Sequence, residues 1–309
     1  MHPVDAIPGA SPFRLDDSQT YQRWREWKLT AYPLDSAALM TELLPDGTAN
    51  PPAEARMRGQ CRRVNMAFYT VGGGADGRQA VQNIARRFGL TRADGHLCAD
   101  ADGIATLQVS QDALKRGYIP YTDRPINWHT DGYYNAPDRW IRSMMLHCQQ
   151  PAAEGGGNAC IDPEMIYIQL RDIGPEYVKA LMAPGCMTIP ANRDEEGELR
   201  PEQSGPVFSV DPRTGALHMR YTARKRNILW SKDPLLQEAL ACLESLLADD
   251  NPYVVHHRLE AGQGLLCNNV LHRRSGFSNG GQGAGRTFYR ARFYERIAGT
   301  MPESDALSS

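Results

Sequence analysis

The spacing of apolar residues changes along this chain. In QAVQNIARRFGL (79–90), Val81, Ile84, Ala85 and Phe88 recur at three- and four-residue steps, which predicts an amphipathic helix. SAALMTELL (36–44) has a similar spacing and reads as a second helix. Between them, CRRVNMAFYTVGG (61–73) predicts a strand ending in glycines. From residue 104 onward short strand-like runs follow one another, separated by Gly, Pro, Asp and Asn: ATLQVS, IRSMMLHCQ, GNACID, PVFSVD, ALHMRYT, YVVHHRLE, QGLLCNNVLH and RTFYRARFYE. Many short strands with frequent turn signals predict an antiparallel sandwich or barrel.

Two helices interrupt these strands. DPEMIYIQLRD and DPLLQEALACLESLLADD each open on Asp-Pro, with Asp162 and Asp233 as N-caps and Pro163 and Pro234 at the first helical position. In the second, Leu236, Leu240, Leu243 and Leu247 make one stripe that reads as a core face. The glycine-rich stretch NGGQGAG (279–285) reads as a flexible loop bordering the strands. No repeat or long linker divides the chain. The expectation is therefore a mainly β domain with added helices, in one unit over 1–309. A mixed α/β part (1–103) packs on a strand-rich core (104–295), and a tail (296–309) follows.

Composition narrows the partners. A formal net charge of −2 offers no electrostatic case for nucleic acid or an anionic membrane surface. The first residues, MHPVDAIPGASPFRLDD, lack the charged and apolar segments of a signal peptide, and no apolar run reaches membrane-spanning length. Seven scattered cysteines without a C-x-x-C pair argue against a disulfide framework or structural zinc, so reduced thiols in a cytoplasm are expected.

Chemistry enters at NWHTDGYYN (127–135). If His129 and Asp131 lie on a strand, their side chains share a face and can reach one ion. One histidine and one carboxylate suit structural zinc poorly. With a second histidine they make the facial triad of non-haem iron(II) oxygenases, which leaves positions open for cosubstrate and O2. A His-x-Asp tripeptide is near chance in a chain with eight histidines, so a third ligand is needed. Candidates are His147, His218, His256, His257 and His272. His272 stands where an apolar strand gives way to polar residues, and Arg286 and Arg290 follow it. A guanidinium is the right shape to hold a remote carboxylate in two bonds, although Arg286, Phe288, Arg290 and Arg292 at period two also fit an exposed basic edge strand.

Taken together, NWHTDGYY, EGGGNACID, GQGLLCNNVLHRRSGF and GRTFYRARF resemble, in order and spacing, the blocks of the taurine dioxygenase-like (clavaminate synthase-like) family of iron(II)/2-oxoglutarate-dependent oxygenases. The resemblance covers about residues 104–295. It implies a double-stranded β-helix (jelly-roll) core, with iron(II), 2-oxoglutarate and O2 as the cofactor set. By the same resemblance His129, Asp131 and His272 are the metal ligands, Arg286 binds the distal carboxylate of 2-oxoglutarate, and Asn158 stands where many members have a threonine that touches the cosubstrate. Arg290 matches a substrate-binding position; the competing reading is an arginine that only supports the site's ligands or lies on the surface. Arg220 and Tyr221 are substrate candidates against a surface arginine and a core tyrosine, while Trp128, Tyr133 and Tyr134 either line the pocket or belong to the core.

The chain departs from the family pattern where Asn268-Asn269 replaces Asp-Asn and where the last block reads Arg-x-x-x-Arg. The retained Asp131 is unlike a halogenase. The activity implied is hydroxylation of an unactivated C–H bond in a small polar, anionic or zwitterionic metabolite, with 2-oxoglutarate going to succinate and CO2; desaturation or ring closure stays open. A non-catalytic cupin-like metal-binding or sensor protein, or an iron oxygenase that does not use 2-oxoglutarate, remain alternatives, and a homo-oligomer is neither required nor excluded.

Overall fold

The computed structural model describes residues 11–301 apart from 33, 73, 96–98, 113, 114, 116, 195, 196, 225 and 281–284. Most of the glycine-rich loop and most of the tail expected above therefore lie outside the described residues. Two sheets form the body. The larger has six strands in the order Met40–Glu42, Met66–Thr70, Gln263–Cys267, Ser143–Gln150, Thr287–Phe293 and Ile104–Leu107. Its neighbours are antiparallel except the first pair, where Met40 lies beside Phe68 in parallel register. The smaller sheet has four antiparallel strands in the order Val255–His257, Asn158–Ile161, Leu271–Arg274 and Ile126–His129. The chain is mainly β with helices around it, as the apolar pattern predicts.

Alternation along the strands decides what each sheet face buries. Phe68, Met144, Leu146, Leu265 and Phe288 of the larger sheet meet Cys160 and Val255 of the smaller one in a single buried cluster, so the two sheets face each other. Ala67, Tyr69, Met145, Leu266 and Ala291 point to the other side of the larger sheet and pack with helices Pro51–Val64 and Gly77–Arg87. The outer side of the smaller sheet, through Ala159, Ile161 and Leu271, joins a cluster with helices Ser18–Leu29, Pro163–Ile173, Pro175–Leu181 and Pro234–Leu246. Helix–sheet–sheet–helix layering leaves the space between the sheets as the innermost part of the molecule.

Helix ends follow their caps. Asp162 accepts from the Glu164 amide and Asp233 from the Leu236 amide, and Pro163 and Pro234 open the helices as expected. Asp76 caps Gly77–Arg87, whose Val81, Ile84 and Ala85 are buried. Three readings change. SAALMTELL is not a helix: Ser36–Leu39 is one 3-10 turn capped by Asp35, and Met40–Glu42 is drawn into the sheet by pairing with Met66–Thr70. Cys61–Val64 ends helix Pro51–Val64, which turns through Asn65 at φ 57° before the strand begins at Met66. QGLLCNNVLH is two strands in different sheets, broken at Asn268-Asn269. Among the described residues no helix is long and apolar enough to cross a membrane.

His147 shows what burial in the larger sheet costs. Its ring is fully buried between Tyr69 and Tyr289, with Nδ1 3.2 Å from the Tyr69 hydroxyl, and its Nε2 has no hydrogen-bond partner. Gly77 begins its helix so close that a Cβ there would come within 2.4 Å of the ring. Burial pushes the imidazole pKa down to about 4. The unfolded chain binds this proton near pH 6.5 and the folded chain does not, so the neutral ring's stability is complete above about pH 6.5 and is lost as pH falls towards 4. Urea unfolding should therefore lose about 2–3 kcal/mol more over that window in the native protein than in His147→Gln. A difference between the two proteins that does not change with pH would remove this explanation.

Candidate metal centre

The site lies where the smaller sheet ends its inner edge. His272, on Leu271–Arg274, pairs directly with His129, the last residue of Ile126–His129, and on its other side with Cys160. Partners directly opposite in an antiparallel pair share a face. Cys160 lies in the cluster between the sheets, so His272 and His129 face that interior. The pairing is irregular: two residues on the His272 strand, to Arg274, oppose three on the other, to Ile126. A bulge of this kind re-aims side chains.

Asp131 is not on the strand, contrary to the expectation that it and His129 share a strand face. The strand stops at His129, and Asp131 opens a turn. The turn is held from the other strand junction by Asn269. Its side-chain oxygen accepts from the Asp131 amide at 2.8 Å, and its Nδ2 donates to the Asp131 and Ile141 carbonyls at 3.0 and 2.7 Å. Asn269 sits at φ 50°, a conformation asparagine tolerates. Gly132 follows Asp131 at φ 67°, where a Cβ would come within 2.4 Å of Ile141. Asn269, of the Asn268-Asn269 pair singled out in the sequence, is thus the clamp on the carboxylate's backbone.

The turn delivers the carboxylate to the two imidazoles. One candidate ligand atom from each of His129, Asp131 and His272 lies within 4.8 Å of the others, the group of this kind found among the described residues. Each histidine's Nδ1 sits against a backbone carbonyl, Asn127 at 2.9 Å for His129 and Val270 at 3.0 Å for His272. Donation from Nδ1–H leaves Nε2 as the free lone pair on both rings, the arrangement metal-ligating histidines use. Burial, then repulsion from His129, lowers His272 to about 4, so it is neutral and able to ligate at neutral pH. Asp131 is 4% exposed, and its Oδ2 is buried with no partner. Burial opposes its ionisation, but Arg290, then His129 and Arg292, outweigh burial and hold the carboxyl well below the usual range. Two imidazoles turned by their Nδ1 partners and an ionised carboxylate with an orphaned oxygen fit a divalent, borderline metal such as iron(II).

Arginines dominate the rest of the interior. Arg290 lies across from Leu146 and Ala105 in the larger sheet, and its Nη1 is 3.5 Å from Asp131 Oδ1. Arg292, on the same face, pairs with buried Asp94 and donates to the Tyr134 hydroxyl at 2.9 Å. Arg286 is 4% exposed and stacks on Phe288 at 3.7 Å and Phe277 at 5.0 Å. Burial, then Arg274, lowers its pKa to about 9, which leaves it cationic at neutral pH. Asn158 pairs with Arg274, two residues along each strand from the Cys160–His272 pair, and its Nδ2 is buried without a partner. The basic face at Arg286, Arg290 and Arg292 is therefore internal and not an exposed edge.

Other candidates are placed elsewhere. Arg220 is buried, and its guanidinium donates to the carbonyls of Tyr133, Gln203 and Met187 at 2.7, 2.8 and 3.2 Å. Those bonds use it as a staple between segments, and Gly205 makes room for it. Tyr221 is buried in the outer cluster beside Trp230, while its amide donates to the Thr130 hydroxyl at 3.1 Å. Trp128 belongs to the same cluster and donates to the Leu247 carbonyl at 2.9 Å. Tyr134, held by Arg292, is the aromatic of the three tied to the interior arginines. His147, His256 and His257 are apart from the site, and His218 stacks on Trp140 at 4.7 Å. The Asp94–Arg292 pair was not legible in the sequence, where Ala-Asp-Gly reads only as a turn signal.

Comparison with known proteins agrees with this geometry. Over 164 residues the chain is 28% identical to a uridine-5'-phosphate dioxygenase from Streptomyces sp, covering 52% of this chain and 58% of that enzyme. The match thus spans under two thirds of that relative's length. An asparagine oxygenase, solved in complex with Fe(II), 2S,3S-3-hydroxyasparagine and succinate, superposes with a TM-score of 0.55 at 15% identity over 90% of this chain and 92% of its own. A taurine dioxygenase from Burkholderia xenovorans gives 0.54 at 18% identity over 84% and 89%. These two likenesses concern the fold. The family described as "Taurine catabolism dioxygenase TauD, TfdA family" matches residues 71–292, and the chain belongs to that family.

Proposed function

We propose that this chain is an iron(II)/2-oxoglutarate-dependent dioxygenase that hydroxylates an unactivated C–H bond of a small polar, anionic or zwitterionic metabolite. The observation that carries the reading is the convergence of His129, His272 and Asp131, whose Oδ2 is unpartnered, beside a buried Arg286 guanidinium that has no carboxylate at ion-pair distance among the described residues. The two facing sheets are read as the halves of a double-stranded β-helix. The N-terminal part contributes Met40–Glu42 and Met66–Thr70 to the larger sheet, which supports one catalytic domain. A relative named for a uridine 5'-phosphate substrate supports an anionic substrate class. Six described cysteines are free, in keeping with a reducing cytoplasm.

His129, Asp131 and His272 would hold the metal. Bound there with 2-oxoglutarate and O2, iron(II) supplies oxidative decarboxylation to succinate and CO2, coupled to oxidation of a C–H bond. The protein's share is positional. The Asn127 and Val270 carbonyls orient the imidazoles, and Asn269 fixes the backbone from which the carboxylate projects. Arg286 would bind the cosubstrate's distal carboxylate, with Asn158 on the opposite sheet as a neutral donor. Arg290, 3.5 Å from Asp131, would meet an anionic group of the substrate beside the metal ligands. The apolar cluster between the sheets keeps bulk water from the reacting centre.

Anaerobic addition of Fe(II) and 2-oxoglutarate should produce a weak visible charge-transfer band, and Arg286→Ala should raise the 2-oxoglutarate concentration needed for it about ten- to a hundredfold. No band in the native protein would falsify the cosubstrate assignment, and an unchanged titration in the variant removes Arg286 from it. Asn269→Gly keeps the backbone conformation but deletes the clamp on Asp131. It should weaken Fe(II) binding about ten- to a hundredfold while the protein stays folded by circular dichroism. Native Fe(II) affinity in that variant would show that the clamp does not govern the site.

A further inference from the structure

Arg274 ends the strand that carries His272, and it is buried like Arg286, at 5% exposure. Its Nη2 donates to the Thr122 and Arg124 carbonyls at 2.8 and 2.5 Å, and its Nε is buried with no partner. Its guanidinium lies 4.8 Å from the centre of the Phe277 ring, and that of Arg286 lies 5.0 Å from the same centre. One aromatic ring thus keeps the two cations close, and the positive charge of Arg274 bears directly on Arg286. Neither guanidinium has a carboxylate within ion-pair distance among the described residues. Arg274 is also the cross-strand partner of Asn158, whose Nδ2 is likewise unsatisfied. The Asp123 charge acts on Arg274 from beyond ion-pair distance, so two buried cations without an ion-paired carboxylate stay costly, and the unpartnered donors beside them make the pocket complementary to a carboxylate.

Resting on the cosubstrate reading above, we infer that Arg274 is a second cation of the distal-carboxylate pocket: held beside Arg286 across Phe277, it positions that arginine and makes the pocket select cosubstrates with an anionic tail. A bidentate fork from Arg286 supplies direction. Arg274 supplies additional field in a low-dielectric setting, where an uncharged tail gains nothing from it. The selectivity belongs to the pair, and Phe277 is the spacer that keeps two like charges at a fixed separation.

The test compares 2-oxoglutarate with 2-oxovalerate, which has the same chain length but no distal carboxylate. Binding of each is measured anaerobically on the Fe(II)-loaded protein by the visible band and by calorimetry. In the native protein 2-oxoglutarate should bind far more tightly. Arg274→Gln, whose amide can still donate to the Thr122 carbonyl, should weaken 2-oxoglutarate about tenfold or more and leave 2-oxovalerate and Fe(II) affinity unchanged. Arg274→Lys should recover part of the loss. Equal weakening of both acids, or no weakening of either, overturns the proposal by reducing Arg274 to a support for the Thr122 loop. If Arg274→Gln fails to fold, Phe277→Leu, which removes the spacer while leaving both charges, must show the same acid-selective loss or the proposal falls. Should the native protein bind the two acids equally, the failure is that of the cosubstrate reading itself.

Discussion

Charge buried between two apolar sheet faces is the constraint around which this molecule is arranged. Asp131, Asp94, Arg274, Arg286, Arg290 and Arg292 are all at least nine-tenths buried. Moving such groups out of water costs several kcal/mol each unless a partner is supplied. Some are matched within the chain: Asp94 takes Arg292 and the Tyr294 hydroxyl, and Arg290 approaches Asp131. The matching is incomplete: in this interior Asp131 Oδ2, Asn158 Nδ2, Arg274 Nε, Arg290 Nε and Arg292 Nε are buried without a hydrogen-bond partner. A fold would not keep this set for stability, since apolar residues of the same size would serve it better. Ligands are the natural source of the missing partners.

Strand register turns that charged interior into a site. Because Leu271–Arg274 lies between Asn158–Ile161 and Ile126–His129, four functional candidates come together from three distant stretches: Asn158, His129, His272 and Arg274. A slip of one residue would send His272 to the outer, helix-covered face with Leu271. The apolar alternation that fixes the core and the register that assembles the site are therefore one requirement. The bulge at the His129–His272 pairing and the Asn269 turn are local exceptions to regular pairing, and both sit at the proposed ligands.

Much of this was legible in the sequence, for physical reasons. Short strand-like runs between turn residues located most strands of both sheets, and Asp-Pro openings located two helices by their caps. His129, Asp131 and His272 were named from spacing and resemblance, and the structure brings the three together. What escaped depends on distant partners. Helix Ser18–Leu29 hides from a periodicity search because its buried face includes Lys28, fully buried and paired with Asp162 and Glu164 far along the chain. SAALMTELL has helical spacing, yet sheet pairing with Phe68 overrides it. Arg220 reads as a surface or substrate residue until three backbone carbonyls from separate segments are seen around it.

The same distant pairings explain how the first hundred residues serve the site without contributing a ligand. Lys28 binds Asp162 at 2.7 Å, Asp162 accepts from Asn65 at 2.9 Å, and the Asn65 side-chain oxygen accepts from Asn268 at 3.1 Å. Asn268 is the neighbour of Asn269, whose side chain fixes the backbone of Asp131. Asn268 also receives the Ile297 amide, so the chain after the last strand closes on the same point. A turn linking two sheets is free to shift by the ångström that would misplace a metal ligand. Buried hydrogen bonds from the N-terminal helices and from the segment after the last strand remove that freedom, and each is costly to leave unmade. The N-terminal part is therefore better understood as the outer wall of the proposed metal site than as a separate unit attached to it.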